Sequence, residues 1–240
     1  MPIVARKPAE SKYVKALIFS PPGHGKTHFL GTAQEDDRTF PMAFLNWEAG
    51  DQSLSGLDID VFDIRDMQDY KEAKRMLSDK NTPYKSVGVD SVTETQVGGF
   101  LSILDHDKNR GDPDLMAQQD WGVSLVQMRR FIRDFKFLPL HTFFTALAKD
   151  DLVARVGQVK APSIQGAFQY DLPGVVDLVA YLAVENVEAD DDHPDGIQRI
   201  LLLHSAPKFS VKCRTPWNVV VPAEIVDPSV TALLDALGFQ

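Results

Sequence analysis

Ser20-Pro21-Pro22-Gly23-His24-Gly25-Lys26-Thr27 sets glycines, a lysine and a hydroxyl at the spacing that phosphate chemistry requires. The run follows the pattern G-x-x-x-x-G-K-[ST], except that Ser20 stands for the first glycine. Glycines let a backbone fold closely around a polyphosphate, and consecutive N–H groups entering a helix present positive dipole to it. Pro21 and Pro22 have no N–H, so the cradle comes from Gly23 through Thr27. The expected nucleotide-contacting set is Pro22, Gly23, His24, Gly25, Lys26, Thr27 and His28. Within it, Lys26 reaches the β- and γ-phosphates and the Thr27 hydroxyl takes a Mg²⁺ ion. The plain alternative is a Gly/Pro turn with a chance lysine. A strand-like run before the loop and a helix start after it argue against that. The implied ligands are ATP and Mg²⁺.

Hydrolysis needs two more groups: a carboxylate beside the metal and a residue that orients water. Asp90 ends the apolar run Val87-Gly88-Val89. Burying its charge is costly without a partner, and a hydrated Mg²⁺ is one. A helix N-cap is the other use of an acidic residue there, and the neighbouring Ser91 can share it. Glu48 ends the run Ala43-Phe44-Leu45-Asn46-Trp47. In a parallel sheet the carboxyl ends of strands line the ligand crevice. Glu48 is therefore either the group that activates the attacking water or a solvated residue before Ala49-Gly50-Asp51.

Strands and helices must alternate to bring these residues together, and the chain reads that way. Residues 14–19 form a short buried strand and Thr27 opens a helix. Further strands are expected at 42–47, 61–64, 85–90 and 141–148. Asp66 caps a helix carrying Met67, Tyr70, Ala73 and Leu77, and another runs from the end of the fourth strand through Leu104. After a polar loop at 105–114, Trp121, Leu125, Met128, Ile132 and Phe135 mark a long helix that Pro139 ends. Residues 149–170 read as a long Gly- and Pro-punctuated loop, a kind that is usually functional or mobile. Strands at 178–187, 199–204 and 209–213 follow. The fold class is α/β, a mostly parallel central sheet flanked by helices with an antiparallel C-terminal extension. Residues 1–12 are expected as a tail and 13–240 as one core domain.

The net charge of −9 argues against a broad electrostatic nucleic-acid binder and leaves room for a local basic groove. One cysteine, Cys213, excludes an internal disulfide and suits a reducing cytoplasm. No apolar stretch reaches membrane-span length, and the polar N-terminus is no secretory signal. Asp105-His106-Asp107 and Asp190-Asp191-Asp192-His193 are candidate divalent-metal clusters, although such clusters are more often solvated loops.

The loop, the run ending at Glu48 and Val87-Gly88-Val89-Asp90-Ser91-Val92 together resemble the RecA-type recombinase core in order and spacing. The resemblance covers most of residues 12–220. It implies a RecA-like P-loop NTPase in which Glu48 is the general base and Asp90 the Walker B residue. It places Thr145 as a polar γ-phosphate sensor. Lys212 and Arg214 resemble the basic strand that reaches a neighbouring subunit's nucleotide in filaments and rings; an exposed edge strand is the alternative. The shortness of the chain narrows the likeness to small phage-encoded RecA-like ATPases of single-strand annealing and recombination. That implies a homo-oligomer, ring or filament, in the host cytoplasm, with single-stranded DNA and a single-strand-binding protein as partners. DNA would touch loops 105–119, with Lys108 and Arg110, and 149–170. The second carries Lys149, Arg155, Lys160, Phe168 and Tyr170, cations and aromatics suited to tracking a backbone and stacking bases. Two other functions fit the same core: a DNA-processing motor or metal-dependent nuclease, and a nucleotide-switched assembly protein with slow hydrolysis.

Overall fold

In the computed structural model, which describes residues 12–106, 112, 114–153, 155–191, 193–194, 196–216 and 218–239, apolar runs form the strands and periodic segments the helices. In chain order these are β1 (Lys15–Ser20), α1 (Lys26–Gly31), β2 (Met42–Asn46), β3 (Asp60–Asp63), α2 (Met67–Leu77) and β4 (Ser86–Asp90). Next come α3 (Val92–His106), α4 (Gln118–Lys136), β5 (His141–Val153), β6 (Gly157–Pro162), α5 (Phe168–Val175) and β7 (Leu178–Asn186). The chain closes with β8 (Ile197–Leu202), β9 (Lys212–Cys213), β10 (Glu224–Val226) and α6 (Val230–Ala236). Residues 1–11 of the expected tail at 1–12, and the cations Lys108 and Arg110, lie outside the described residues.

The sheet order is β10-β8-β7-β1-β5-β4-β2-β3. From β7 to β3 every neighbouring pair is parallel, while β8, β9 and β10 add antiparallel pairs at the C-terminal side. This is the α/β architecture expected from the alternation of elements. Side chains alternate across the pleat. Leu17 and Phe19 of β1 therefore join α2, α4 and α5 in one core, and Ala16 and Ile18 join α1 and α6 in the other. Asp66 caps α2 as expected, accepting from the Gln68 and Asp69 amides. On α4, Met128, Ile132 and Phe135 are buried, whereas Trp121 is 42% exposed and packs edge-on against Phe100.

Three parts differ from the sequence expectation. Residues 149–170 are not a long loop. β5 runs on to Val153 and turns back as β6 in an antiparallel hairpin, Asp150 opposite Lys160. Arg155 and Gly157, both at positive φ, make its turn. The third C-terminal strand shrinks to Lys212–Cys213. And β10 and α6, absent from the expectation, cover the helix that follows the loop: Val230, Leu233, Leu234 and Leu237 pack with Phe29 and Leu30.

Candidate nucleotide site

The loop between β1 and α1 is shaped by Gly23 at φ 79° and Gly25 at φ 92°, a left-handed backbone that glycine adopts without steric cost. Ser20 needs no such freedom, because it is the buried last residue of β1 and keeps an ordinary strand backbone. Its hydroxyl and carbonyl instead accept from Lys26 Nζ at 3.4 and 3.2 Å, beside Pro21 O at 3.1 Å. The serine thus holds the lysine at the loop. Burial pushes the Lys26 pKa down, against the attraction of Asp90 and Glu48.

Strand alternation decides what meets this loop. On β4, Val87 and Val89 face the α4 core, so Gly88 and Asp90 face α1. On β5, Phe144 and Ala146 face α4, so Thr145 faces α1. β5 lies between β1 and β4, which sets Thr145 beside Asp90 below the loop. Thr27 Oγ1 donates to Asp90 Oδ2 at 2.6 Å, and Thr145 Oγ1 donates to Asp90 Oδ1. Thr145 is fully buried. The residue expected as a γ-phosphate sensor here donates its hydroxyl proton to Asp90, a contact through which it positions that carboxylate. A threonine and a carboxylate converging through hard oxygen donors fit a Mg²⁺ ion.

Thr145→Val removes one of the donors to the buried Asp90 carboxylate at nearly constant volume. It should cost about 1–3 kcal/mol of stability and raise the Mg²⁺ concentration needed for half-maximal turnover. Thermal melting and a Mg²⁺ titration check both effects.

Glu48 follows β2 at the mouth of the cleft, open to solvent on one side while its carboxylate turns in toward Ser91. Two contacts hold its base. The Trp47 amide donates to Asp90 O at 2.8 Å, and the Trp47 ring lies so close to α3 that a Cβ on Gly98 would come within 2.7 Å of it. Ser91 Oγ donates to Glu48 Oε1. Desolvation pushes the Glu48 pKa up, the Ser91 hydrogen bond opposes this, and Asp90 repulsion reinforces it. A carboxylate with a raised pKa, held by one oxygen, is suited to accept a proton. Pro22, Gly23, Gly25, Lys26, Thr27, His28 and Glu48 line one cleft of about 300 Å³, with Ser53 and Leu147 closing it. His24 turns away, its Nδ1 3.2 Å from Leu182 O. On that same flank Arg199 packs against Gly25. Ser91 as the holder of Glu48 and Arg199 as a neighbour of the loop were both missed in the sequence. Alternation with the buried Leu201 and Leu203 was the signal that could have placed Arg199 on the α1 face.

The residues expected to meet DNA divide. Phe168 is 1% exposed in the core, so the structure corrects its role: it cannot stack a base. Lys149 donates to Ile164 O and Gln169 Oε1, both at 2.9 Å, and Lys160 pairs with Asp150 at 2.7 Å. Arg155 sits at the exposed hairpin turn, and Tyr170 is 75% exposed. The base of the hairpin is tied to α3: Gln96 exchanges two hydrogen bonds with Gln165, and Thr93 donates to Ser163 O.

Lys212 and Arg214 lie at the start of β7, the end of the sheet away from the loop. Lys212 donates to Pro173 O and Val176 O at the end of α5. Arg214 is more open, with Asp177 4.0 Å away. Neither belongs to this chain's own cleft. Among the described residues no group of three or more His, Cys, Asp or Glu gathers as a metal site; Asp107 and Asp192 of the acidic clusters lie outside them. No described helix is long and apolar enough to cross a membrane.

A family model described as an AAA domain matches residues 12–215. No curated protein matches the sequence.

Proposed function

Because this chain belongs to the AAA-domain family, whose P-loop domains bind nucleotide and act as ATPases, we propose that it is a Mg²⁺-dependent ATPase acting on single-stranded DNA. The observation that carries the reading is the convergence on one loop of two carboxylates with different partners. Asp90 is held by two hydroxyls, and Glu48 is held by one oxygen and has a raised pKa. Lys26 and the amides of Gly23 to Thr27 hold the phosphates. Thr27 and Asp90 would hold Mg²⁺, which would supply neutralisation of phosphate charge. Glu48 takes a proton from the water that attacks the γ-phosphorus. The bond to the bridging oxygen breaks, and ADP leaves with the electron pair.

The DNA part of the proposal rests on the turn of the hairpin and on α5, which follows it. Arg155 and Tyr170 offer an exposed cation and an exposed ring for a backbone and a base. The segment just after the return strand, at Ser163 and Gln165, is tied through Thr93 and Gln96 to the first turns of α3, directly after Ser91. A strand bound at the hairpin thereby has a connected route to the group that holds Glu48. Recombination or annealing in a phage setting is the biological role that the RecA-type resemblance favours. Arg214 is the residue best placed to serve a neighbouring copy in an oligomer.

One experiment tests the whole reading: ATP turnover measured with and without single-stranded DNA across a range of protein concentrations. DNA should raise turnover, and specific activity should rise with concentration. Arg155→Ala should reduce the DNA effect and leave the DNA-free rate unchanged. Slow turnover indifferent to DNA would indicate a nucleotide-switched assembly protein instead.

A further inference from the structure

We propose that Arg199 recognises the base of the bound nucleotide, making it a specificity-determining residue; this rests on the ATPase reading above. Arg199 stands on β8 opposite Val184 of β7, on the face that carries Leu201 and Leu203. That is the α1 face, at the level of the loop. A Cβ built on Gly25 would lie 2.9 Å from Arg199 Nε, 3.4 Å from Cδ and 3.9 Å from Cζ. The head group is therefore drawn along the loop backbone, and any side chain at position 25 would displace it. The strand is pinned there: the Asp227 amide donates to Arg199 O at 2.8 Å, and Arg199 N donates to Asp227 Oδ1 at 3.4 Å.

The loop has two flanks with different chemistry. On one, Glu48 and Asp90 gather where the terminal phosphate is cleaved. On the other, His24 meets Leu182 O and Arg199 meets Gly25. A triphosphate lying along the loop with its terminal end at Glu48 sends its nucleoside end toward the β7–β8 flank. The phosphates already have Lys26, Thr27 and the loop amides. On that flank the ligand presents the flat face of its base, which a guanidinium stacks on well and an ammonium poorly, and stacking uses the guanidinium plane, not its N–H groups. A two-ring purine offers more of that face than a pyrimidine.

Calorimetric titration of the full chain with ADP and with UDP tests this. The wild type should prefer ADP. Arg199→Ala should weaken ADP by about tenfold while changing UDP by less than about twofold. Arg199→Lys keeps the charge and most of the length but loses the plane, so its ADP-to-UDP ratio should also fall; it serves if the alanine variant does not fold. Equal losses for both nucleotides would make Arg199 a buttress of the loop and overturn the proposal. So would an unchanged ADP affinity, or a wild type that binds ADP and UDP alike. A wild type that binds neither nucleotide overturns the ATPase reading itself, an outcome distinct from any of these.

Discussion

Lys26→Ala should abolish ATP turnover, by at least about 10³-fold, the scale on which a positioned charge at a transferring phosphoryl group acts. The lysine is fixed for that task before any ligand arrives. Its Nζ is held by Ser20 and Pro21 at the foot of the loop, and its stem is buried. Arriving phosphate oxygens replace carbonyl acceptors of the loop, so little reorganisation is needed. The same burial lowers the Lys26 pKa, which means that the fold disfavours its charged form. A group whose folded pKa is depressed in this way adds no stability at neutral pH. The variant should therefore stay folded while losing triphosphate binding. Turnover by a steady-state phosphate-release assay, together with a melting curve, checks both halves. A variant that hydrolyses ATP at the wild-type rate would remove the loop from the mechanism.

Glu48→Gln should bind ATP and Mg²⁺ nearly as the wild type does and hydrolyse about 10²- to 10⁴-fold more slowly, the usual contribution of a general base. The amide keeps the size of the side chain and the acceptor for Ser91, but it cannot take a proton. The pH profile carries the sharper signature. Glu48 works when deprotonated, and its pKa is raised, chiefly by desolvation. The acid limb of the wild-type rate should therefore lie above the ordinary carboxylate range, with activity lost as pH falls through it. In Glu48→Gln that limb disappears. Ser91→Ala should move it further up, because the Ser91 hydrogen bond pulls the pKa down. Stability runs the other way. A carboxylate whose folded pKa exceeds its unfolded value binds more protons in the fold, so it costs stability at pH above both values. Glu48→Gln should thus melt slightly higher than the wild type at pH 7. A variant that keeps wild-type turnover would send the search for the base to Glu94.

The parts of the site written in local signals were legible in the sequence. The loop, and the runs ending at Glu48 and Asp90, declare themselves through glycine spacing and apolar strands with a carboxylate at the end. The hairpin did not, because 149–161 alternates charge and small apolar residues without the period of a buried strand. Its turn also lacks the Asn-Gly or Asp-Gly pair that marks a tight hairpin. The contact of Thr145 with Asp90 was not legible in the sequence, for a topological reason. Only strand order shows that β5 lies between β1 and β4, and that order turns a ligand-facing expectation into a contact with Asp90. Phe168 was misassigned because an aromatic in an apparent loop looks available, whereas α5 turns it into the core. β10 and α6 lie beyond the motifs, and nothing near the loop announces them.

Thr32, one residue past α1, accepts from the Val230 amide at 2.8 Å across a separation of 198 residues. Arg38 repeats the tie, reaching Asp235 and Phe239 O. A chain emerging from the ribosome N-terminus first thus exposes the Gly23–Thr27 segment long before the parts that brace it. β1 waits for residues 142–147 and 178–181 to complete its sheet neighbours, and Phe29 and Leu30 wait for 230–237. During that interval the nascent chain carries an uncovered apolar helix beside an unbraced loop. Such uncovered apolar surface is of the kind that chaperones cover during synthesis, and the loop still lacks the brace that a nucleotide site needs. Maturation of the binding site is accordingly a late event of synthesis, set by the distance along the chain between the loop and its cover.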